Sequence, residues 1–156
     1  MTATALSDAH TLSILLVEDN PADALFVSKG LARLRTPTRL RVAPDAEKAL
    51  DFLSHDESAQ ALVMGDKPDL ILLDLNLPGI KGLELLETIR HDPHLAGLPV
   101  LILTSSSAEQ DVRRARELKA DEYLLKPPTL IELFDLLARI EERWLKALSR
   151  GEAANG

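Results

Sequence analysis

The chain has 156 residues, of which 46% are hydrophobic and only 3% aromatic, and its formal net charge is −7; this size and composition predict one domain with an aliphatic core. The negative charge argues against nucleic-acid binding, which needs a clustered basic face, and the absence of cysteine excludes disulfides and cysteine-based zinc sites. No apolar run approaches the length of a membrane span, and residues 1–12 lack a signal-peptide pattern, so we predict a cytoplasmic protein with no membrane partner.

Five short apolar runs alternate with longer amphipathic segments along the chain. We predict strands at Ser13–Val17, Arg39–Val42, Leu70–Asp74, Val100–Leu103 and Glu122–Leu125. Helices are predicted at 21–35, from 45 to beyond 53, at 82–91, at 108–119 and at 129–149. Unbroken aliphatic strands separated by helices indicate a parallel sheet that is covered on both faces. The predicted fold class is therefore α/β, a three-layer α/β/α sandwich.

One folded domain is predicted at residues 13–149, with a flexible segment at each end. Residues 1–12 look like a lead-in, and residues 150–156 look like a tail rich in small residues. The segment from Ser54 to Pro68 has no clear period. We interpret it as a long loop in which residues 61–64 could form an extra turn.

The last predicted helix carries a long apolar stripe. Its members at three- and four-residue steps are Leu130, Leu133, Leu137, Ile140, Trp144 and Leu148. The later apolar positions, namely Leu136, Ile140, Trp144 and Leu148, extend past the point where a short helix would finish covering the sheet. Exposed apolar surface of this kind often marks an interface, so we predict a homodimer through helix 4, strand 5 and helix 5. The alternative is that Trp144 packs on its own domain.

Polar side chains follow four of the five predicted strands. Glu18 and Asp19 follow the first strand, Asp74 ends the third, Thr104 follows the fourth and Lys126 follows the fifth. In a parallel α/β sheet the ligand crevice lies outside the carboxyl ends of the strands, so these residues are expected to meet there. Each one alone has an ordinary explanation, such as a helix N-terminal charge or a capping hydroxyl. Their coincidence predicts a magnesium-dependent site that accepts a phosphoryl group.

The residue types suggest a role for each member of this site. An accepting Asp needs a divalent cation, because the carboxylate and the phosphoryl group repel each other. The predicted Mg²⁺ ligands are Asp19 and Asp74 directly, Glu18 through a water molecule, and the backbone carbonyl of Asn76. We predict that Lys126 and Thr104 bind phosphoryl oxygens.

Two further features of the fifth strand leave alternatives open. Lys126–Pro127 is a candidate for a cis peptide bond, which would hold the lysine in a tight geometry, but the sequence does not show the isomer. Tyr123 lies three residues before Lys126, so the strand period of two directs it to the other face. A half-buried ring that only packs is as good an explanation of Tyr123 as a functional role.

Together, the acidic pair Glu18-Asp19, Asp74, Thr104 and Lys126-Pro127 resemble the receiver domains of two-component response regulators, over about Leu12 to Leu148. The resemblance implies a flavodoxin-like fold with strand order 2-1-3-4-5. It also implies phosphoryl transfer from the histidine of a sensor kinase to Asp74, with Thr104 and Tyr123 as a switch pair. Such a protein is not an enzyme acting on external substrates, and its output here would be protein–protein interaction.

Three stretches resemble more particularly the stand-alone regulators that are paired with bacterial phytochrome kinases. They are Val17 to Asp23, Asp74 to Gly79, and Trp144-Leu145. The sequence departs from the usual receiver pattern at Lys119, where receivers generally have Gly. A Gly at the end of a helix allows a turn with positive φ. With Lys119 at this position, the sequence does not establish the local backbone conformation, but the phosphoryl site is unaffected.

Two other functions are weaker alternatives. An Asp-nucleophile phosphatase generally needs a second acid two residues after the nucleophile to protonate the leaving group, and that position here is Asn76. A receiver-like module that binds partners without phosphorylation is disfavoured because no residue of the site is missing.

Overall fold

The computed structural model describes residues 11–54 and 67–151. The strands are β1 (Leu12–Val17), β2 (Thr38–Ala43), β3 (Leu70–Leu73), β4 (Val100–Thr104) and β5 (Glu122–Leu125). The helices are α1 (Pro21–Ala32), α2 (Ala46–Leu53), α3 (Gly82–His91), α4 (Glu109–Glu117), α5 (Leu130–Ile140) and α6 (Lys146–Ser149), with a π-helical turn, Glu141–Leu145, between the last two. The lead-in up to residue 10, the extra turn predicted at 61–64 and the tail after residue 151 lie outside the described residues.

The five strands form one parallel sheet in the order β2-β1-β3-β4-β5, which confirms the predicted fold class and strand order. Every residue of β1, β3 and β4 is buried, whereas the edge strands β2 and β5 are partly exposed. A strand that is covered on both faces needs apolar side chains at consecutive positions. This burial explains why the three inner strands read as unbroken aliphatic runs.

Helices cover the sheet on both faces and create two apolar cores. On one face α2, α3 and α4 pack on the sheet, with Leu53, Leu85 and Leu86 among the fully buried side chains. On the other face α1 and α5 pack together, and Leu31 and Leu137 are buried there. Within the described residues, no helix is long and apolar enough to cross a membrane. This three-layer arrangement leaves the ends of the strands as the accessible edges of the sheet.

Lys119 ends the turn that follows α4 in a left-handed conformation, with φ of 65°. The backbone adopts the positive φ that a Gly at this position would allow, although the residue is a lysine. The carbonyl of Lys119 accepts hydrogen bonds from Nε and Nη2 of Arg90, at 3.2 and 3.0 Å. Tertiary contacts therefore hold a conformation that a side chain with a Cβ disfavours.

Lys119→Gly is expected to stabilise the protein by about 0.5–1 kcal/mol, because relief of the left-handed strain exceeds the entropy lost by a glycine. The measurement is the urea midpoint of unfolding at an unchanged denaturant slope. Lys119→Ala is the matched control: it removes the same long side chain but keeps the Cβ, so no gain is expected. Equal stabilities of the Gly and Ala variants would contradict the argument.

The C-terminal segment, predicted as one continuous helix, contains a π-helical turn at Glu141–Leu145. The wider turn changes the phase of the apolar stripe, so that the adjacent residues Trp144 and Leu145 are both buried. It also places the buried carboxylate of Glu141 on the backbone N–H of Thr36, at 2.7 Å. A period of 3.6 residues could not indicate either feature.

The dimer prediction assumed that the last apolar residues of the C-terminal helix are exposed, but the structure shows that they are not. Leu136, Ile140 and Trp144 are 6%, 3% and 5% exposed, and Leu148 is half-buried against the same core. Trp144 donates from Nε1 to Oε2 of Glu122 at 2.6 Å, so the ring packs on its own domain. The expectation that these four residues form an exposed apolar surface was therefore wrong: three are buried and Leu148 is partly buried. Homodimer formation through helix 4, strand 5 and helix 5 stays a prediction.

The cis candidate was also wrong, because no described peptide bond is cis and Lys126–Pro127 is therefore trans. The trans isomer is the intrinsically favoured one for a bond to proline. Lys126 is instead fixed by a sheet-like hydrogen bond from its N–H to the carbonyl of Thr104, at 2.8 Å. The lysine thus reaches the end of the sheet without a special peptide geometry.

Candidate functional site

The carboxyl ends of the strands bring the predicted site residues together. The N–H of Glu18 donates to the carbonyl of Ala43, and the N–H of Asp74 donates to the carbonyl of Val17. These hydrogen bonds, at 2.9 and 3.0 Å, continue the sheet pattern one residue beyond the strands. The side chains that follow the strands are therefore presented from a rigid edge rather than from free loops.

Three carboxylates form the acidic part of the site. Oxygen atoms of Glu18, Asp19 and Asp74 lie within 4.8 Å of one another. Glu18 and Asp74 are buried, whereas Asp19 is exposed. Three negative charges this close together repel, so the cluster requires a positive charge nearby.

Lys126 supplies that positive charge. Its Nζ lies 2.8 Å from Oε1 of Glu18, 2.9 Å from Oδ2 of Asp74 and 2.9 Å from Oδ2 of Asp23. Burial alone would lower the pKa of Lys126, but bonds to the three carboxylates raise it well above its ordinary value. The side chain is thus an ammonium at every physiological pH.

The two buried carboxylates respond differently to this environment. Burial acts to raise the pKa of Asp74, but hydrogen bonds from Lys126, Thr104 and the backbone N–H of Asn76 outweigh it and lower the pKa below its usual value. Burial raises the pKa of Glu18 and exceeds the opposing effect of Lys126. Since the ammonium lies at hydrogen-bond distance from both, we treat both as carboxylates. Asp74 is then an ionised oxygen nucleophile at neutral pH.

Thr104 and Asn76 lie beside Asp74, as the strand order requires. Thr104 is fully buried, and its hydroxyl is near enough to Asp74 to help lower the pKa of that carboxylate. The backbone N–H of Asn76 donates to Oδ1 of Asp74 at 3.1 Å. Both residues therefore lie beside the central carboxylate, while phosphoryl binding by Thr104 and metal ligation by the Asn76 carbonyl stay predictions.

Tyr123 is connected to Thr104 through the loop after β4. Its hydroxyl donates to the carbonyl of Ser106 at 2.8 Å, and the N–H of Ser106 donates to the Thr104 hydroxyl at 3.4 Å. The Ser106 hydroxyl donates to Oδ2 of Asp111 at 2.6 Å, which ties the loop to α4. Ser106 is therefore hydrogen-bonded to both Thr104 and Tyr123.

Titration of Tyr123 provides a direct check of this environment. Burial, followed by the charges of Asp111 and Asp74, raises the pKa of its phenol. Because Tyr123 is the only tyrosine, its phenolate absorbance is expected to appear at higher pH in the folded protein than in the urea-denatured chain. The folded state holds the proton more tightly, so this contribution to stability is complete below the unfolded pKa and is lost as the pH rises through the folded pKa. Identical midpoints would contradict it.

Sequence reasoning missed three residues around the site: Asp23, Ser106 and Asp111. Asp23 lies in the first turn of α1, five residues after Glu18, and contacts Lys126 across 103 positions of sequence. Asp23 could have been predicted from its position, because it lies in the first turn of a helix that begins at the carboxyl end of a strand. Ser106 was not singled out because the run Ser105-Ser106-Ser107 offers several capping residues, and Asp111 was interpreted as part of a solvated helix face.

The donor atoms fit a divalent cation of the Mg²⁺ type. All three side-chain donors are carboxylate oxygens, the hard ligands that Mg²⁺ prefers, and one member of the set is open to water. Mg²⁺ commonly keeps several water ligands, which the exposed side of Asp19 would allow. The residues of this chain are therefore suitable for the predicted cofactor.

Comparison with known proteins also identifies similarity to response regulators. The model of the response regulator receiver domain matches residues 14–138. The response regulator Rcp1 of Synechocystis sp. is 38% identical over 136 residues, which cover 87% of this chain and 90% of Rcp1. The probable methanogenesis regulatory protein FilR2 of Methanothrix harundinacea is 37% identical over 133 residues, covering 85% of this chain and 83% of FilR2.

Solved structures agree with the sequence comparison. The phosphorylated cyanobacterial phytochrome response regulator RcpA superposes with a TM-score of 0.80 at 37% identity, covering 88% of this chain and 96% of RcpA. The Mn²⁺-bound form of Rcp1 superposes with a TM-score of 0.78 at 38% identity, covering 86% and 95%. The matched segment includes every side chain of the acidic site and its lysine. This chain belongs to the response regulator receiver domain family.

Proposed function

We propose that Asp74 accepts a phosphoryl group from the histidine of a sensor kinase and that the modified domain signals through a protein partner. The observation that carries the proposal is the ion pair between Lys126 and Asp74 at 2.9 Å, within a cluster of three carboxylates at the end of the sheet. The lowered pKa of Asp74 makes it an anion, and the ammonium beside it can stabilise phosphoryl oxygens. Nucleophile and positive charge are thus preassembled.

In the proposed transfer, an oxygen of Asp74 forms a bond to phosphorus as the bond from phosphorus to the kinase imidazole nitrogen breaks. The product is an acyl phosphate, and the imidazole leaves. Lys126 moves its hydrogen bond from the carboxylate to the phosphoryl group, and the Thr104 hydroxyl is positioned to donate to another oxygen. Asp19, Asp74, the carbonyl of Asn76 and, through a water molecule, Glu18 would hold Mg²⁺, which when bound would neutralise the remaining negative charge.

The proposed output is a change in the loop after β4. Phosphorylation adds close to two negative charges beside Thr104. Movement of Thr104 toward them would shift Ser106, whose carbonyl holds the hydroxyl of Tyr123. Tyr123 and the adjacent face of α4 and β5 would then differ between the two states, which is the switch predicted for Thr104 and Tyr123.

The proposed donor is a phytochrome-type kinase, because RcpA and Rcp1 are similar over most of both chains and RcpA is a phytochrome response regulator. Lys126 opens onto a groove whose lining includes Phe26, Pro127 and Leu130. Phe26 and Leu130 are 39% and 42% exposed, so apolar surface borders the route by which an imidazole could reach Asp74. Apolar surface of this kind suits a protein donor.

The test is incubation with Mg²⁺ and acetyl phosphate, followed by intact-protein mass spectrometry. One phosphoryl adduct is expected, and borohydride reduction of the acyl phosphate should convert Asp74 alone to homoserine, which peptide mass analysis would locate. Homoserine at another residue would overturn the assignment. A chain that neither binds Mg²⁺ nor gains an adduct would instead be a receiver-shaped interaction module.

We further propose that the domain does not act as an enzyme on external substrates. The position two residues after Asp74 is Asn76, which contacts Asp74 through its backbone N–H and has no side-chain acid for a leaving group. Steady phosphate release from p-nitrophenyl phosphate, in proportion to protein concentration, would contradict this and favour the phosphatase alternative.

A further inference from the structure

Lys126 has a carboxylate partner that belongs to neither the nucleophile nor the acidic cluster. Its ammonium has three N–H donors, and three carboxylates lie within 2.9 Å of Nζ: Glu18, Asp74 and Asp23. The ammonium is therefore saturated. The contact with Asp23 requires an explanation of its own, because no step of the proposed transfer uses this residue.

Two of the three partners of Lys126 are also the buried members of the cation site. Glu18 and Asp74 each bond Lys126 and each belong to the set of three converging carboxylates. A divalent cation at these two carboxylates competes with the ammonium for their negative charge, because the two positive charges repel each other at such short range. Asp23 lies outside that set of converging oxygens. It is the one partner of Lys126 that is not also a member of the cation site.

The position of Asp23 is well defined. It lies in the first turn of α1, and its backbone N–H donates to Oδ1 of Asn20, the N-cap residue, at 3.1 Å. Its side chain is 37% exposed, and it lines the same open groove as Lys126. An acid in the first turn stabilises a helix through the dipole. That role accounts for an acid at this position but not for a 2.9 Å bond to Lys126.

We propose that Asp23 is a positioning residue for Lys126: it retains the ammonium at the mouth of the site when Mg²⁺ occupies Glu18 and Asp74. This inference rests on the proposed function, because it assumes that Mg²⁺ binds at the acidic cluster. Asp23 shifts the competition between lysine and cation in favour of the cation. It also keeps the ammonium within reach of the phosphoryl group rather than releasing it to solvent.

The experiment is calorimetric titration of the full chain with Mg²⁺ alone. Asp23→Asn is expected to weaken Mg²⁺ binding about fivefold, a typical coupling between neighbouring sites. Glu47→Gln is the matched control, because Glu47 is also an exposed acid in the first turn of a helix, α2. The control should change binding by less than about twofold, as expected for a screened surface charge. Asp23→Glu retains a carboxylate and should restore most of the affinity.

A double-mutant cycle separates positioning from a simple charge effect. In a Lys126→Met background the Asp23→Asn deficit should shrink to less than about twofold, since no ammonium remains to be held. An equal deficit in both backgrounds, or no deficit in the native one, would overturn the proposal. If Lys126→Met does not fold, ionic strength replaces it: a deficit that disappears in high salt is a long-range charge effect and overturns positioning.

The same titration distinguishes the two proposals. A native chain that binds Mg²⁺ and gains a phosphoryl adduct, with Asp23→Asn unchanged, removes only the role of Asp23. A native chain that does not bind Mg²⁺ removes the proposed function and the role of Asp23 together.

Discussion

Asp74→Asn is expected to abolish phosphoryl acceptance while the domain stays folded. The amide is not an anion and is a poor nucleophile, so adduct formation should fall by about 1000-fold or more, as when a covalent nucleophile is lost. The change removes one carboxylate from a crowded acidic cluster and leaves Lys126 paired with Glu18 and Asp23. The fold should therefore tolerate the loss of the ion pair.

The adduct is measured by intact mass after incubation with Mg²⁺ and acetyl phosphate, and folding by circular dichroism. Asp135→Asn is the control, because Asp135 lies exposed on α5 and undergoes the same chemical change away from the site. It should accept one phosphoryl group like the native chain. An adduct on Asp74→Asn at the native rate would show that another residue is the acceptor.

Gly82→Ala is expected to destabilise the protein by about 3 kcal/mol, at the upper end of the cost of overpacking. A Cβ at Gly82 would overlap the carbonyl oxygen of Asp74 and lie 2.7 Å from the Cα of Leu75. These are backbone atoms, so no side-chain rotation can relieve the overlap. Either α3 moves away from the sheet or the segment that carries Asp74 shifts.

The measurements are urea unfolding and Mg²⁺ affinity, both of which should fall for Gly82→Ala. Gly97→Ala is the matched control, since a Cβ there meets no atom within 4 Å and its φ is not positive. That variant should be unchanged or more stable by about 0.5 kcal/mol, because alanine restricts the unfolded chain. Equal stability of the two variants would show that α3 does not approach the loop after β3 closely.

The strands and most helices could be predicted because their signals are local. Leu70 to Leu73 lie in an inner strand buried on both faces, which gives a continuous apolar run. α3 begins and ends at the predicted residues. Among the strands, β2 was predicted least precisely, since it extends one residue further at each end than predicted.

The candidate site could be located because the carboxyl ends of parallel strands must meet. That rule alone brought Glu18, Asp74 and Lys126 together from three separate parts of the sequence. It says nothing of side chains that approach from a neighbouring helix. Asp23 was missed for that reason, because its contact with Lys126 depends on how α1 packs against the sheet.

The amino-acid sequence by itself determined the parallel α/β fold and the set of polar residues at the strand ends, because local patterns of apolar and polar residues indicate both. It determined the strand order through its family resemblance. Only the tertiary structure decided how those elements meet. Packing buried Trp144 against Glu122, held Lys119 in a left-handed turn and brought Gly82 against the backbone of Asp74. Each of these results depends on contacts between separate elements of the fold, which a local pattern does not contain.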